Sequence, residues 1–392
     1  MHTNYTTPQA TTRAETDFVS DLDTPCLLLD VSKMNCNIIR LHSRLAAKTV
    51  AFRPHLKTAK SIEIARRMVT GAHGPATVST LNEAEAFARA GITDITYAVG
   101  ISPQKIVRVQ ALLRQGVNLT VLLDSMEQAE AVATASRQDV TIPALIELDC
   151  DGHRSGVHCD DHEKLLAIAQ TLHASGNLRG VLTHAGESYT AINREALVAA
   201  AENERASAVR AAEILRHAGH GCPVVSIGST PTALFAENYD GITEVRAGVF
   251  AFFDLVQAGL GVCSPQDIAV SVLATVIGHQ HEKGWTIIDA GWAALSSDRG
   301  TESQSVDQGY GLVCDLEGNI MHGLFVANAN QEHGIIARRA DFQASIPDLP
   351  YGTKVRILPI HACATVEQHA LYNVIGADKQ KIAAKWTRLK GW

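Results

Sequence analysis

The feature that most constrains this chain is an alternation. From about residue 50, short β-rich runs take turns with amphipathic helical runs. The β-rich runs are "VAFRPHLK" (50–57), "ATVST" (76–80), "DITYAV" (94–99), "NLTVLLD" (118–124), "IPALIELD" (142–149), "RGVLTHAG" (179–186), "VVSIGST" (224–230) and "ITEVRAG" (242–248). Between them lie helical segments such as "LNEAEAFARAG", "DHEKLLAIAQTLHASG" and "REALVAAAENERASAVRAAEILRHAG", each ending on glycine as helices often do. Strands joined through helices run parallel. Eight such units predict an α/β fold, a closed TIM-like (β/α)8 barrel. An open doubly wound sheet is the competing arrangement. The lack of a G-x-G-x-x-G after the first strand counts against it.

The pattern changes after residue 264. "AVSVLATVIGHQHEKGWTIIDAG" reads as two strands joined by a polar turn, and short strands and turns continue through "TKVRILPIHACAT". No long helical period returns until the last fifteen residues. Residues 265–392 are therefore expected to form a mostly β C-terminal domain, and residues 21–264 the barrel. The run "DTPCLLLDVSKM" (23–34) fits a strand of either domain. Residues 1–20 are polar and read as a loosely held tail.

Composition excludes several classes. The net charge is -7 and no basic run exceeds two residues, which argues against nucleic acid as a partner. No apolar stretch approaches the length of a membrane span, and the N-terminus lacks the apolar core of a signal peptide. The eight cysteines are scattered without a CxxC, as expected of reduced thiols in the cytoplasm.

Catalytic groups of such barrels sit at the C-terminal ends of the strands. Lys57 closes the first run. A lysine there is either a surface residue or an amine whose pKa is lowered by burial and by Arg53 or His55, as Schiff-base chemistry requires. Lys60 is a second candidate, placed in a first helical turn facing solvent. Gly228, Ser229 and Thr230 end the seventh run, where this fold commonly binds phosphate; Gly248 after the eighth would admit another backbone N–H. The alternative for the triplet is a plain turn. Arg154 beside His153 could hold a phenolate or carboxylate, or pair locally with Asp149 or Asp151. His184 and Tyr189 flank the sixth run and suit a planar ring, or simply pack. His361 and Cys363 stand two apart, so on a strand they face one side and could share a metal, zinc before other divalent ions. The alternative is a buried histidine and a free cysteine. Glu332 and His333 offer a supporting carboxylate or a further ligand, or a turn.

Taken together, "DTPCLLLD", "RPHLKTAKS", "ELDCDGHRSGV", "GSTPT", "TEVRAGVFAFFD" and "HACAT" resemble the D-threonine aldolase/D-serine dehydratase family of alanine-racemase-like pyridoxal-phosphate enzymes. The resemblance runs from about residue 21 to the end. It implies pyridoxal 5'-phosphate linked to Lys57 and its phosphate held at Gly228, Ser229 and Thr230, with Gly248 and Val249 as backbone donors. The family often has serine where Val249 stands. Arg154 and Tyr189 match family positions at the cofactor, with His184 a further cofactor-binding candidate, and His361 with Cys363 matches the metal pair, expected to take zinc, manganese or another divalent ion. Lys57, Tyr189, His361 and Cys363 are the implied catalytic residues, and a homodimer acting on a small D-amino acid is the implied assembly.

The family's aldolases typically read His-x-Asp at this pair, whereas its dehydratases read His-x-Cys. "HACAT", "DGHRSGV" and "LTHAGESY" are most similar to the dehydratases of 3-hydroxyaspartate. The expected reaction is therefore ammonia-releasing dehydration of 3-hydroxyaspartate or serine of D configuration. Cleavage to glycine and an aldehyde is the alternative. A cofactor-carrier protein would lack the second domain. A racemase would need a tyrosine there, for which Tyr310, Tyr351 and Tyr372 are the candidates. For the substrate's own side chain, Arg246, His281, Arg299 and Gln331 are open candidates.

Overall fold

The computed structural model describes residues 18–345 and 347–392. Nine parallel strands form one sheet, eight of them in succession around it: Ala51–Phe52, Ala76–Val78, Asp94–Gly100, Asn118–Leu123, Ala144–Asp149, Leu178–Thr183, Val224–Ile227 and Glu244–Val245; the ninth, Val157–His158, pairs only with Ala144–Asp149. The eight are barrel strands 1 to 8. Strand 8 pairs with strand 1 through Glu244 opposite Ala51 and Val245 opposite Phe52. Strands 1 and 2 meet just beyond Phe52, where His55 bridges Thr77. There the Leu56 N–H donates to Thr77 O and the Thr77 N–H to Pro54 O, both at 2.8 Å. The ring is thereby closed, and the fold is a (β/α)8 barrel followed by a β domain.

Side-chain alternation along each strand separates two layers. Val121, Leu123, Ile146 and Val181 belong to the large core between sheet and helices. Leu122, Leu145 and Leu182 point the other way and form their own small cluster inside the ring. Because strands of this kind are covered on both faces, they read as continuous apolar runs. The intervening helices start at side-chain caps: Thr80 accepts from the Glu83 N–H, Ser125 from Gln128 and Asn193 from Ala196.

The second sheet has nine strands. Six of them, Trp285–Ile288, Gly334–Arg338, Ile320–Ala329, Leu312–Cys314, Lys354–Leu358 and Val270–Gln280, pair in that order, and the last returns to pair with the first. Cys26–Asp30 extends this sheet. It lies antiparallel to Val270–Gln280, with Leu28 opposite Ser271, and parallel to Leu371–Ile375, with Leu28 opposite Asn373. The chain therefore enters through the β domain, builds the barrel, and returns.

Three expectations need correction. The last fifteen residues hold a strand, Ile382–Thr387, rather than a helix; its residues alternate between partly buried and exposed against Leu371–Ile375. "HACATVE" is not a strand: Ala362–Glu367 is a short helix with His361 at its N-cap position. Of the tail, residues 1–17 lie outside the described residues, but Val19 is fully buried and its N–H donates to Gln380 O at 2.7 Å.

Candidate active site

A cavity of about 360 Å3 opens at the C-terminal mouth of the barrel. Its lining includes Lys57, Arg154, His184, Tyr189, Gly228, Ser229, Thr230, Gly248 and Val249 from the barrel, and Asp298, Gly300, His361 and Cys363 from the β domain. Eleven of the residues singled out from sequence thus meet in one place, although they span positions 57 to 363.

Lys57 lies beyond the short first strand, in the turn that follows the His55 bridge. Its amine is accessible from the cavity. The surrounding walls desolvate it and lower its pKa, and the charges of Arg154 and Arg246 push the same way. The second domain grips this turn. The Tyr372 hydroxyl donates to Ala59 O at 2.6 Å, and the Leu389 N–H donates to Lys60 O at 2.6 Å. Lys60 does not face solvent in a helical turn, as its spacing suggested. It precedes the helix Ile62–Met68, and its ammonium sits 3.2 Å from Glu367 and 3.7 Å from Glu83, with Glu367 also paired to the buried Arg388.

The seventh strand ends at Ile227, and Gly228 just after it has φ +144° and no room for a side chain: a Cβ would fall 1.9 Å from Arg246 O. Ser229 follows as the N-cap of Thr230–Phe235, its hydroxyl accepting from the Thr232 N–H. The Thr230 hydroxyl is buried without a partner among the described residues. At Gly248 a Cβ would stand 2.9 Å from His55 O, so backbone approaches backbone closely there too.

His184 donates Nδ1–H to Gly228 O at 2.9 Å, since a carbonyl can only accept, which fixes its tautomer with a lone pair on Nε2. Burial brings its pKa down to about 3, so the ring is neutral. Tyr189, on the turn Gly186–Thr190, lies with its ring centroid 6.3 Å from that of His184. Burial raises its phenol well above the usual range. Arg154 forms no ion pair among the described residues. Asp149 instead accepts the N–H groups of Asp151 and Gly152, and Asp151 accepts that of Glu187. His153 beside it pairs with Glu187 at 2.8 Å.

His361 and Cys363 do come together, but on a helix start rather than a strand face. The Ala362 N–H between them donates to Asp254 at 2.9 Å, and that carboxylate, 1% exposed, sets the direction of the turn. The His361 Nδ1 meets Asp298 Oδ2 at 2.7 Å. Burial disfavours its cation, yet the hydrogen bonds to Asp298 and Cys363 outweigh this and push its pKa up to about 11. Burial likewise raises the Cys363 thiol, but His361 and the charge of Lys57 bring it below its usual value. Cys363 Sγ is also 3.1 Å from the hydroxyl of Thr58, the residue next to Lys57.

Asp254 and Asp298 were not singled out from sequence. Neither sits in a spacing that marks it, and each reaches His361 or its neighbour only through the tertiary fold. Glu332 and His333 stay exposed on the turn closed by the Asn330–His333 hydrogen bond, away from the cavity. Of the side-chain candidates only Arg246 lines the cavity. It is held by Ser226 Oγ and Thr183 O, both at 2.6 Å, and burial lowers its pKa to about 10. Arg299 instead pairs with Asp307. Tyr351 is 79% exposed, Tyr372 is engaged with Ala59, and Tyr310 lies under Arg299, so none offers a racemase tyrosine to this cavity.

A barrel with a lysine at its mouth, walled on one side by a β domain, is the arrangement of alanine-racemase-like enzymes. The alanine racemase N-terminal domain family matches residues 29–256, and a putative serine dehydratase domain matches residues 269–375. The chain belongs to this alanine-racemase-like family, in the branch with a dehydratase-type second domain. It is 52% identical over 381 residues to D-threo-3-hydroxyaspartate dehydratase of Delftia sp. (strain HT23), covering 96% of this chain and 100% of that one. The solved structure of that enzyme superposes with a TM-score of 0.92 over the same shares. A cysteine-to-alanine mutant of D-threo-3-hydroxyaspartate dehydratase, solved in a metal-free form, also gives 0.92, at 51% identity and with 96% and 100% of the two chains covered. D-serine dehydratase of Dictyostelium discoideum is 29% identical over 390 residues, 93% of this chain and 96% of that one.

Proposed function

We propose that this chain is a pyridoxal-phosphate- and divalent-metal-dependent lyase that dehydrates 3-hydroxy D-amino acids. D-threo-3-hydroxyaspartate would yield oxaloacetate and ammonia, and D-serine would yield pyruvate and ammonia. The observation that carries the reading is the joining of two functions in one cavity. Lys57 and the His361–Cys363 pair open into the same space and are linked through Thr58, 3.1 Å from Cys363.

The residues present fit the cofactor. Lys57 offers an accessible amine of lowered pKa. The orphaned Thr230 hydroxyl and the close-approach glycines 228 and 248 make a cradle in which an anionic oxygen would find donors. Arg154, His184 and Tyr189 line the same cavity and would border the ring. They fit a metal as well. Asp298 occupies His361 Nδ1, as outer carboxylates do in metal sites, so Nε2 is the coordinating atom, and Cys363 is biased toward the thiolate. Among the described residues no third histidine, cysteine or carboxylate joins them, which leaves positions open for water or substrate. Zinc suits an imidazole–thiolate pair best, with manganese or another divalent ion as alternatives.

When bound, the cofactor supplies an electron sink for the charge left at Cα and the ion supplies Lewis acidity at the β-hydroxyl. The chain's own groups do the rest. Lys57 Nζ takes the Cα proton, which its lowered pKa favours. His184 stays neutral and would border the cofactor. His361 and Cys363 face the leaving hydroxyl, and Asp298 holds the imidazole in orientation. The resemblance that suggests this reaction also suggests a homodimer, and the scattered cysteines suggest a cytoplasmic protein. All eight cysteines stand free, in keeping with a reducing compartment, and no described helix is long and apolar enough to cross a membrane.

The test is a substrate panel of D-threo-3-hydroxyaspartate, D-serine and D-threonine, each assayed for ammonia and for aldehyde. Ammonia with the first two is expected. Aldehyde and glycine from D-threonine with no ammonia from any substrate would make the enzyme an aldolase.

A further inference from the structure

Glu204 lies mid-way along the helix Arg194–His217 and exposes none of its surface. It does not line the cavity. A carboxyl group buried this deeply calls for hydrogen-bond partners. Its Oε1 has two: the N–H of Ala185 at 3.0 Å and the N–H of Gly228 at 2.9 Å. Those two residues belong to different rim loops, one after barrel strand 6 and one after strand 7.

The same two loops are tied twice more. His184, next to Ala185, donates to the carbonyl of Gly228 at 2.9 Å. The Ser188 hydroxyl donates to Ala185 O at 2.7 Å and lies 3.0 Å from the Ser229 hydroxyl. Gly228 is therefore held from both ends, its N–H by Glu204 and its C=O by His184. A glycine backbone is permissive by itself, so its orientation has to be imposed by partners. Burial raises the carboxyl pKa of Glu204, while its hydrogen bonds to Thr232, Ala185 and Gly228 and the charge of Arg246 work the other way.

We propose that Glu204 is a positioning residue for the cofactor's phosphate. By joining the two loops from behind, it fixes the Gly228–Thr230 turn and the ring of His184 at one spacing, without touching the ligand. The proposal rests on the cofactor reading above and extends it to a residue outside the cavity.

The test compares pyridoxal phosphate with pyridoxal, which lacks the phosphate, as ligands of the full-length apoenzyme, read by absorbance titration. Inorganic phosphate is added as a competitor. Glu204→Leu is expected to weaken pyridoxal phosphate binding about tenfold or more, the scale of one lost set of hydrogen bonds. Pyridoxal affinity should stay within about twofold and inorganic phosphate should compete less well. Glu204→Gln keeps an acceptor oxygen and should restore most of the preference. Should Glu204→Leu fail to fold, Glu204→Asp, which withdraws the oxygen by one methylene, is measured the same way and should lose part of the preference. An unchanged preference for the phosphorylated ligand in the folded variants overturns this proposal alone. An equal loss for both ligands also overturns it and makes Glu204 a packing residue. A wild-type apoenzyme that shows no preference overturns the cofactor reading and this proposal together.

Discussion

The two walls of the cavity are built in opposite ways. The wall at Gly228–Thr230 is assembled inside the barrel from backbone groups, hydroxyls and a neutral imidazole, with Glu204 buried behind it. The opposite wall comes from the β domain and is built from ionisable side chains. His361 is pushed toward its cation, Cys363 toward its anion, Asp298 stands at 2.7 Å, and Lys60, Glu367 and Arg388 form an ionic chain nearby. Lys57 sits between them on a turn that the β domain grips. On the proposed reading the difference separates two tasks. A wall that holds a permanent cofactor gains from fixed geometry and little titration. A wall that polarises a leaving group needs strong, oriented fields.

That contrast can be broken in stages. Lys57→Ala removes the one group both walls serve, and activity should fall by about 10^3-fold or more, with loss of the cofactor's protein-linked absorbance. Survival of either would sever the lysine from the chemistry. Chelator treatment, or Cys363→Ala, should lower ammonia release by about 10^2-fold or more while the absorbance of bound cofactor stays; simultaneous loss of cofactor would show that the walls are not separate. Cys363→Asp is expected to lose activity or change metal preference, and unchanged kinetics with every ion would count against a ligand role. Asp298→Asn should weaken metal affinity by about 10- to 100-fold, measured by competition with a chelating dye, with cofactor binding unaltered. The smallest effect is expected from Tyr372→Phe. It leaves Ala59 O without its partner and should cost about 1–3 kcal/mol in urea denaturation, with a smaller change in turnover. A variant equally stable to urea would mean that the grip on the lysine turn is dispensable.

Much of this was legible in the sequence, for physical reasons. Parallel strands covered on both faces give continuous apolar runs, so all eight barrel strands stand out. Strands 1 and 8 keep only two residues each in regular pairing, Ala51–Phe52 and Glu244–Val245, because the chain there turns early to form the rim. The rim residues could be found because catalytic groups in such barrels collect at strand ends. What local pattern could not carry was long-range capping. "HACATVE" follows an apolar strand and continues its alternation on paper. Its helix begins where it does because Asp254, 108 residues away, accepts the Ala362 N–H. Lys60 reads as a surface residue because its partners Glu83 and Glu367 come from two other elements. Glu204 is one more glutamate in an alanine-rich helix until Ala185 and Gly228 are seen to meet it.

The strand Cys26–Asp30 has a consequence for how the molecule is made. It leaves the ribosome before any of the barrel, yet its two sheet partners, Val270–Gln280 and Leu371–Ile375, are synthesised after the barrel is complete. During that interval the barrel can close while an apolar strand, with Leu27, Leu28 and Leu29 all destined for burial, has neither neighbour. The nascent strand thus has two open edges, one covered when residues 270–280 arrive and the other only when residues 371–375 do. The domain that walls the cavity is also the one that retires the hazard left by the first strand.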